Sequence, residues 1–212
     1  MEEQSFWYLI FEPYYAMDTH LVVLEMIAVL FGFLSVWYAK KEHIWVFPTG
    51  IVSTVLFVYI LWVYSLLGDM LINAYYTALS VYGWWVWTRK DESNNVVHIS
   101  RTTPKEKRSS VIFFIITILF VILVYRYFEK FSSWTAYVDT VTTAIFFVGM
   151  WLMAKKKIEN WTFWIIGDLI SIPLYWYKGL IFTSFQYLIF TAIALMGYME
   201  WKKRLDNSPH QS

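Results

Sequence analysis

The 212-residue chain has no cysteine, only 8 glycines and 5 prolines, and little charge, with 16% of its residues Asp, Glu, Lys or Arg. Without cysteine there are no structural disulfides, thiolate metal sites or cysteine nucleophiles. Soluble domains carry roughly 25% charged residues, so charge this sparse argues against a soluble fold. The four histidines, His20, His43, His98 and His210, are scattered over loops and ends, and no metal site is expected. H-E-x-x-H, nucleophile-elbow and phosphate-loop motifs are missing too, which points away from an enzyme and from any cofactor. The acidic start, Met1-Glu2-Glu3-Gln4-Ser5, lacks the basic region of a signal peptide, and no cleavage is expected.

What the chain has in excess is apolar surface. Hydrophobic residues make up 58% and aromatics 22%, and the mean hydropathy is +0.47. A spanning helix needs about 20 mostly apolar residues. Seven stretches qualify: 21–39, 44–64, 69–88, 111–128, 136–154, 160–177 and 180–201. The aromatic stretch 5–15 is too short to span and is broken by Pro13, so it reads as an interfacial segment. The long polar connection 89–110 reads as a solvated linker. Basic residues then set the orientation. Fourteen of the 17 lie in alternate connections (40–41, 89–108, 155–157 and 202–204), against Arg126, Lys130 and Lys178 on the other side. Lys and Arg concentrate in cytoplasmic loops, which predicts the N-terminus outside and the C-terminus inside.

The sequence also repeats. YTALSVYGWWVW (76–87) lies over FTAIALMGYMEW (190–201) at an offset of 114, matching Thr77 to Thr191, Gly83 to Gly197 and Trp87 to Trp201. The same offset, within a residue or a small slip, pairs Trp37 with Trp151, Glu25 with Asp139, Ala39-Lys40-Lys41 with Ala154-Lys155-Lys156, and Gly50 with Gly167. The organisation is three helices, one linker helix and three helices. An odd linker helix makes the repeats parallel, a transporter architecture with substrate held between the halves. The expected divisions are 1–20, an interfacial segment; 21–88, the first repeat; 89–135, linker and linker helix; 136–201, the second repeat; and 202–212, a tail.

Polar groups inside a span are costly and usually face the interior. Asp168 sits mid-helix in WIIGDLISIP, five residues before Pro173; the bland alternative is a structural carboxylate bonded to a neighbour. Asp139, with Thr140, Thr142 and Thr143 beside it, matches Glu25 near the outer helix ends, where a first-turn acid favoured by the helix dipole is the competing reading. Asn73 and Gln186 lie in outer turns and could bind a ligand or bond between helices. Trp161 and Trp164 form a W-x-x-W pair on one helix face, suited to stacking on a flat ligand or to interfacial anchoring. No Lys or Arg lies deep in a span, so a phosphate would find no buried partner. Carboxylates, amides and aromatic faces suit a neutral or cationic ring bearing hydroxyls.

At these residues the chain resembles the PnuC family of bacterial vitamin transporters. The resemblance rests on IWVFPTGI (44–51, with Trp45), NAYYTALSVYGWWVW (73–87, with Tyr76), the Asp139-to-Thr143 stretch, ENWTFWIIGDLISIPLYWYKGL (159–180) and QYLIFTAIALMGYMEW (186–201, with Tyr187). It implies an all-α membrane protein, SWEET-like, in the bacterial inner membrane, facilitating diffusion of nicotinamide riboside for NAD biosynthesis with trapping by cytosolic phosphorylation. Thiamine and riboflavin are carried on the same scaffold by relatives. The expected partners are a small vitamin and the lipid bilayer, not nucleic acid, with a homo-oligomer allowed. A seven-helix photoreceptor is disfavoured, because 180–201 has no mid-span lysine for a retinal Schiff base. The expected site joins Trp164 for stacking to Asp168, Asp139, Asn73 and Gln186 for hydrogen bonding. Asp168→Asn or Asp139→Asn is expected to weaken binding roughly 10- to 100-fold if the carboxylate bonds the ligand directly. Trp87→Phe, at a helix end, is expected to change little.

Overall fold

The computed structural model describes residues 18–90, 97–129, 131, 134–178 and 181–207. The interfacial stretch expected at 5–15 lies outside them. The described residues form seven α-helices: α1 (Thr19–Lys40), α2 (Val46–Val63), α3 (Leu67–Thr88), α4 (Pro104–Tyr127), α5 (Trp134–Ala154), α6 (Asn160–Tyr177) and α7 (Ile181–Asp206). By length and composition α1, α2, α4 and α5 are apolar enough to cross a bilayer. The other three, α3, α6 and α7, carry Asp69, Asn73, Asp168 and Gln186 within their lengths, which lowers their hydropathy. Large apolar side chains such as Met26, Ile116 and Leu123 cover the outside of the bundle, as lipid contact requires.

Helix ends follow from local chemistry. Pro104 opens α4 and Thr103 caps it: the Glu106 N–H donates to the Thr103 hydroxyl, and the Glu106 carboxylate accepts from the Thr103 N–H. This reciprocal box satisfies two orphan donors and starts α4 at Pro104, ahead of its apolar run. The α1–α2 and α5–α6 turns share one design. Glu42 and Lys156, 114 residues apart, both take the left-handed backbone region, at φ 56° and 52°. The His43 N–H donates to the Tyr38 carbonyl, and the Lys157 N–H to the Leu152 carbonyl, each at 2.9 Å.

The helices pack α1 on α2, α2 on α3, α5 on α6 and α6 on α7, with α4 against α5. Two further contacts, α1 with α7 and α3 with α5, join the triplets. Matched residues make these junctions. The Trp87 indole donates to the Met153 carbonyl (3.3 Å), and the Trp201 indole donates to the Ala39 carbonyl (3.0 Å). Between them Lys156 pairs with Glu42 at 2.8 Å, and Glu42 also takes Arg204 at 3.1 Å. Phe47 fills the space over Gly83, and Trp161, its match in the second triplet, fills the space over Gly197. A Cβ at either glycine would overlap the ring, so both positions require glycine. The main buried core thus closes the bundle at the end carrying the two matched turns, with Trp87, Trp161, Trp201 and Phe47 at its centre. Trp87, 5% exposed, is a core residue and not the neutral helix-end position its sequence context suggests.

The linker differs from its reading as a solvated segment. Ile99 is buried, and Ser100 makes a single parallel bridge to the α5–α6 turn, donating to the Lys156 carbonyl (3.1 Å) and accepting from the Ile158 N–H (3.0 Å). The Thr102 N–H donates to Glu159, and Lys157 pairs with Glu106. The alternating Val97-His98-Ile99-Ser100 run gives this short piece one side chain to bury and one edge to pair.

Candidate functional site

A cavity of about 260 Å³ lies between the two triplets, bordered by every helix except α4. The inner turns of α1 and α2 contribute small residues: Gly32, Ser35, Gly50, Ser53 and Thr54. Tyr76 and Ser80 enter from α3, Phe146, Met150 and Met153 from α5, Trp161, Trp164 and Asp168 from α6, and Tyr187 and Phe190 from α7. Helical spacing explains much of this: Trp161, Trp164 and Asp168 fall at i, i+3 and i+7, and Tyr187, Phe190 and Ala194 repeat the pattern on α7.

The second triplet supplies a run of rings. Trp164 stacks on Phe146 at 5.5 Å and 29°, and Phe146 lies nearly parallel to Tyr187 at 6.1 Å and 9°. Tyr187 continues to Tyr175 at 5.1 Å. Phe146 reaches this position because Gly167 leaves room beneath it. Tyr76 stands edge-on to Phe147 at 5.2 Å, 72° from parallel. Trp161 is 1% exposed, packs edge-on against Trp201, and keeps its indole N–H without a hydrogen-bond partner among the described residues.

Asp168 is 3% exposed and is the one Asp, Glu, Lys or Arg among the described residues lining the cavity. Its carboxylate makes no hydrogen bond to another described residue. A buried carboxyl without a partner is costly, and a ligand offering a positive ring or hydroxyl donors would relieve that cost. An added phosphate would meet this carboxylate and no cation.

Five of the residues expected from sequence therefore meet in one cavity: Trp161, Trp164, Asp168, Tyr76 and Tyr187. The other five sit elsewhere. Asp139 is held by Lys178 at 2.6 and 2.8 Å, near the opposite end of the bundle. The Asn73 amide donates to the Asp69 carbonyl one turn earlier. Gln186 and Thr143 are half-buried and do not line the cavity, and Trp45 is 54% exposed at the start of α2. Phe146, Phe190 and the small residues of α1 and α2 were not singled out from sequence. The 114-residue offset held the signal when applied without the slip that paired Gly50 with Gly167: it superposes Gly32 on Phe146, Gly50 on Trp164 and Ser53 on Gly167.

Comparison with known proteins places the chain in context. A family model described as "Nicotinamide mononucleotide transporter" matches residues 22–203. The riboflavin/roseoflavin transporter RibM of Streptomyces davaonensis is 24% identical over 202 residues, covering 93% of this chain and 94% of RibM. The nicotinamide riboside transporter PnuC of Escherichia coli is 25% identical over 205 residues, covering 84% of each chain. Among solved structures, the crystal structure of the vitamin B3 transporter PnuC superposes with a TM-score of 0.67 at 21% identity, over 93% of this chain and 86% of that one. That similarity shows a shared all-α fold.

Proposed function

The chain belongs to the nicotinamide mononucleotide transporter family, and from that premise we propose that it takes up nicotinamide riboside by facilitated diffusion, with trapping by cytosolic phosphorylation. The observation that carries this reading is the cavity itself: aromatic faces, one unpartnered carboxylate at Asp168 and no lining Lys or Arg among the described residues. Trp164 stacks on the pyridinium, and Asp168 faces its charge or its hydroxyls. The mononucleotide would bury a phosphate in a cavity with no lining Lys or Arg among the described residues, so the unphosphorylated riboside is the better cargo.

Matched contacts at a spacing of 114 residues support a 3+1+3 arrangement of parallel repeats, SWEET-like, with α1–α3 and α5–α7 as the repeats and α4 as the linker helix. In this reading all seven helices cross the inner membrane. The basic turns and the tail after Trp201 face the cytoplasm, and the chain divides near 20, 88, 135 and 201, although the helices Trp134–Ala154 and Ile181–Asp206 run across the last two of these bounds. A second reading, riboflavin, is favoured by the RibM relative, which matches over nearly the whole of both chains.

Uptake into proteoliposomes tests the proposal. Labelled nicotinamide riboside should enter without a sodium or proton gradient and stop when inside and outside concentrations match. Accumulation above that level driven by an imposed ion gradient would contradict facilitated diffusion.

A further inference from the structure

The two triplets make the same two contacts at the cavity with opposite sizes of side chain. In the second triplet Phe146 lies against Gly167, and Trp164 lies against Gly149. The positions matched to these by the 114-residue offset are Gly32 with Ser53 and Gly50 with Ser35. Those pairs also touch: a Cβ on Gly32 would come 3.2 Å from the Ser53 hydroxyl, and one on Gly50 would come 3.0 Å from the Ser35 hydroxyl. One half therefore makes each contact with an aromatic ring, and the other makes it with a glycine and a serine hydroxyl. The first half thus lines the cavity with Ser35, Ser53, Thr54 and Ser80, where the second lines it with Phe146, Trp161, Trp164, Tyr187 and Phe190.

A row of small residues could serve only for close helix packing. Here a second observation points to a ligand. Ser53 and Ser80 are 6% and 2% exposed, and both line the cavity. Neither hydroxyl has a hydrogen-bond partner among the described residues, and a hydroxyl in a helix can usually bond back to its own backbone. Thr49, Thr54 and Thr77 nearby all do so. Asp168 lies on the cavity wall with its carboxylate equally unpartnered. Three buried polar groups left open around one hollow form an acceptor and donor set without its complement.

We infer that this hollow is the subsite for a hydroxylated, sugar-derived arm of the ligand. Ser53 and Ser80 bond its hydroxyls, and Gly32 and Gly50 set the width it can have. The ring of the same ligand stacks on Trp164 and Phe146 across the cavity. The inference rests on the transporter reading and narrows its substrate class: a planar ring carrying a ribosyl or ribityl arm fits, and an aromatic cation lacking a polyol, such as thiamine, leaves the hydroxyls unmet.

The test compares nicotinamide riboside with 1-methylnicotinamide, the same pyridinium without the sugar, by titration of the purified full-length protein. The double variant Ser53→Ala/Ser80→Ala is suitable because the matched positions are Gly167 and Ala194, so small apolar residues are already accommodated at this contact. It should bind the riboside about 10-fold more weakly and 1-methylnicotinamide unchanged, since two neutral hydrogen bonds to one arm are lost. Gly50→Ala, a second variant whose Cβ would press on the Ser35 and Ser80 hydroxyls at 3.0 and 3.5 Å, should move the same ratio in the same direction. Should the double variant fail to give a cooperative thermal transition, Gly50→Ala decides alone. Unchanged riboside binding, or equal loss for both ligands, overturns the subsite and leaves the transporter reading intact. A parent that binds riboflavin and not the riboside is tested identically with lumichrome as the ring-only ligand. A parent that binds neither vitamin overturns the underlying reading as well.

Discussion

At the scale of single residues, burial separates two aspartates that look alike in sequence. Asp168 and Asp139 both stand in apolar helices, and their partners decide what each can do. Asp139 is answered by Lys178, 39 residues away in sequence, a pairing that no local pattern reveals. The pair is largely buried, with side chains 23% and 19% exposed, and Asp139 does not line the cavity, so Asp139→Asn should leave ligand affinity close to that of the parent. Asp168→Asn should weaken a cationic or hydroxylated ligand roughly 10- to 100-fold, the loss expected when a hydrogen bond to a charged group goes. Trp164→Ala should weaken ring-containing ligands by about 10-fold or more through lost stacking. Isothermal titration of the three variants against one vitamin checks all of these, and equal losses at Asp139 and Asp168 would contradict the assignment. The sequence exposed Asp168, Trp161 and Trp164 because charge and indole are conspicuous in an apolar helix. It hid Gly32, Ser35, Gly50 and Ser53 because small residues in membrane helices ordinarily signal close packing.

At the scale of elements, the turns and caps carry the basic end of the bundle. The Glu42–Lys156 pair is largely buried, with side chains 17% and 8% exposed, and joins two turns of matching geometry. Glu42→Ala would leave Lys156 buried beside the Trp87 ring without its counter-charge. Removing one partner of such a pair costs about 3 kcal/mol or more, so a large drop in melting temperature in detergent is expected; no change would mean that solvent reaches Lys156. Trp87→Phe and Trp201→Phe each remove an indole hydrogen bond to a carbonyl of the opposite triplet. Both should therefore destabilise the protein by about 1 kcal/mol, and by similar amounts because the two bonds are counterparts.

The linker adds a pH dependence. Partial burial alone would raise the Glu106 carboxyl, but hydrogen bonds from the Thr103 backbone and the Lys157 ammonium outweigh it and hold the group below its usual range. A depressed folded-state value contributes stability above the unfolded pKa and loses it as pH falls through the folded one. Stability from this contact should be present at neutral pH and fade below about pH 4. In Glu106→Gln the acid-side part of the melting curve should flatten. Although Asp69, Asn73, Asp168 and Gln186 lower the hydropathy of three helices and leave four apolar enough by that measure to cross a bilayer, approximate helix bounds were legible from runs of apolar residues. The docking of 97–103 on the α5–α6 turn was not, because its single bridge pairs segments 57 residues apart.

For the whole molecule, the internal repeat explains most of what is seen. In the proposed 3+1+3 arrangement, one three-helix unit used twice gives two faces that meet around a cavity, one carrying rings and the other glycines and serine hydroxyls. The basic asymmetry of the connections predicts that reporters fused in 89–110 and after Trp201 both score cytoplasmic; an extracytoplasmic score for either would contradict seven spans in the proposed orientation. The matched Gly, Trp and Lys positions on which the proposed repeat rests were legible in sequence. The cavity was not, because its shape depends on how side chains of unequal size meet across the two triplets. The most direct test of the account is a titration of the purified protein with nicotinamide riboside and nicotinamide mononucleotide under identical salt. The account predicts saturable binding of the riboside and at least 100-fold weaker binding of the mononucleotide, because the phosphate would be buried against Asp168 with no cation to offset it. Equal affinity for the two would contradict it.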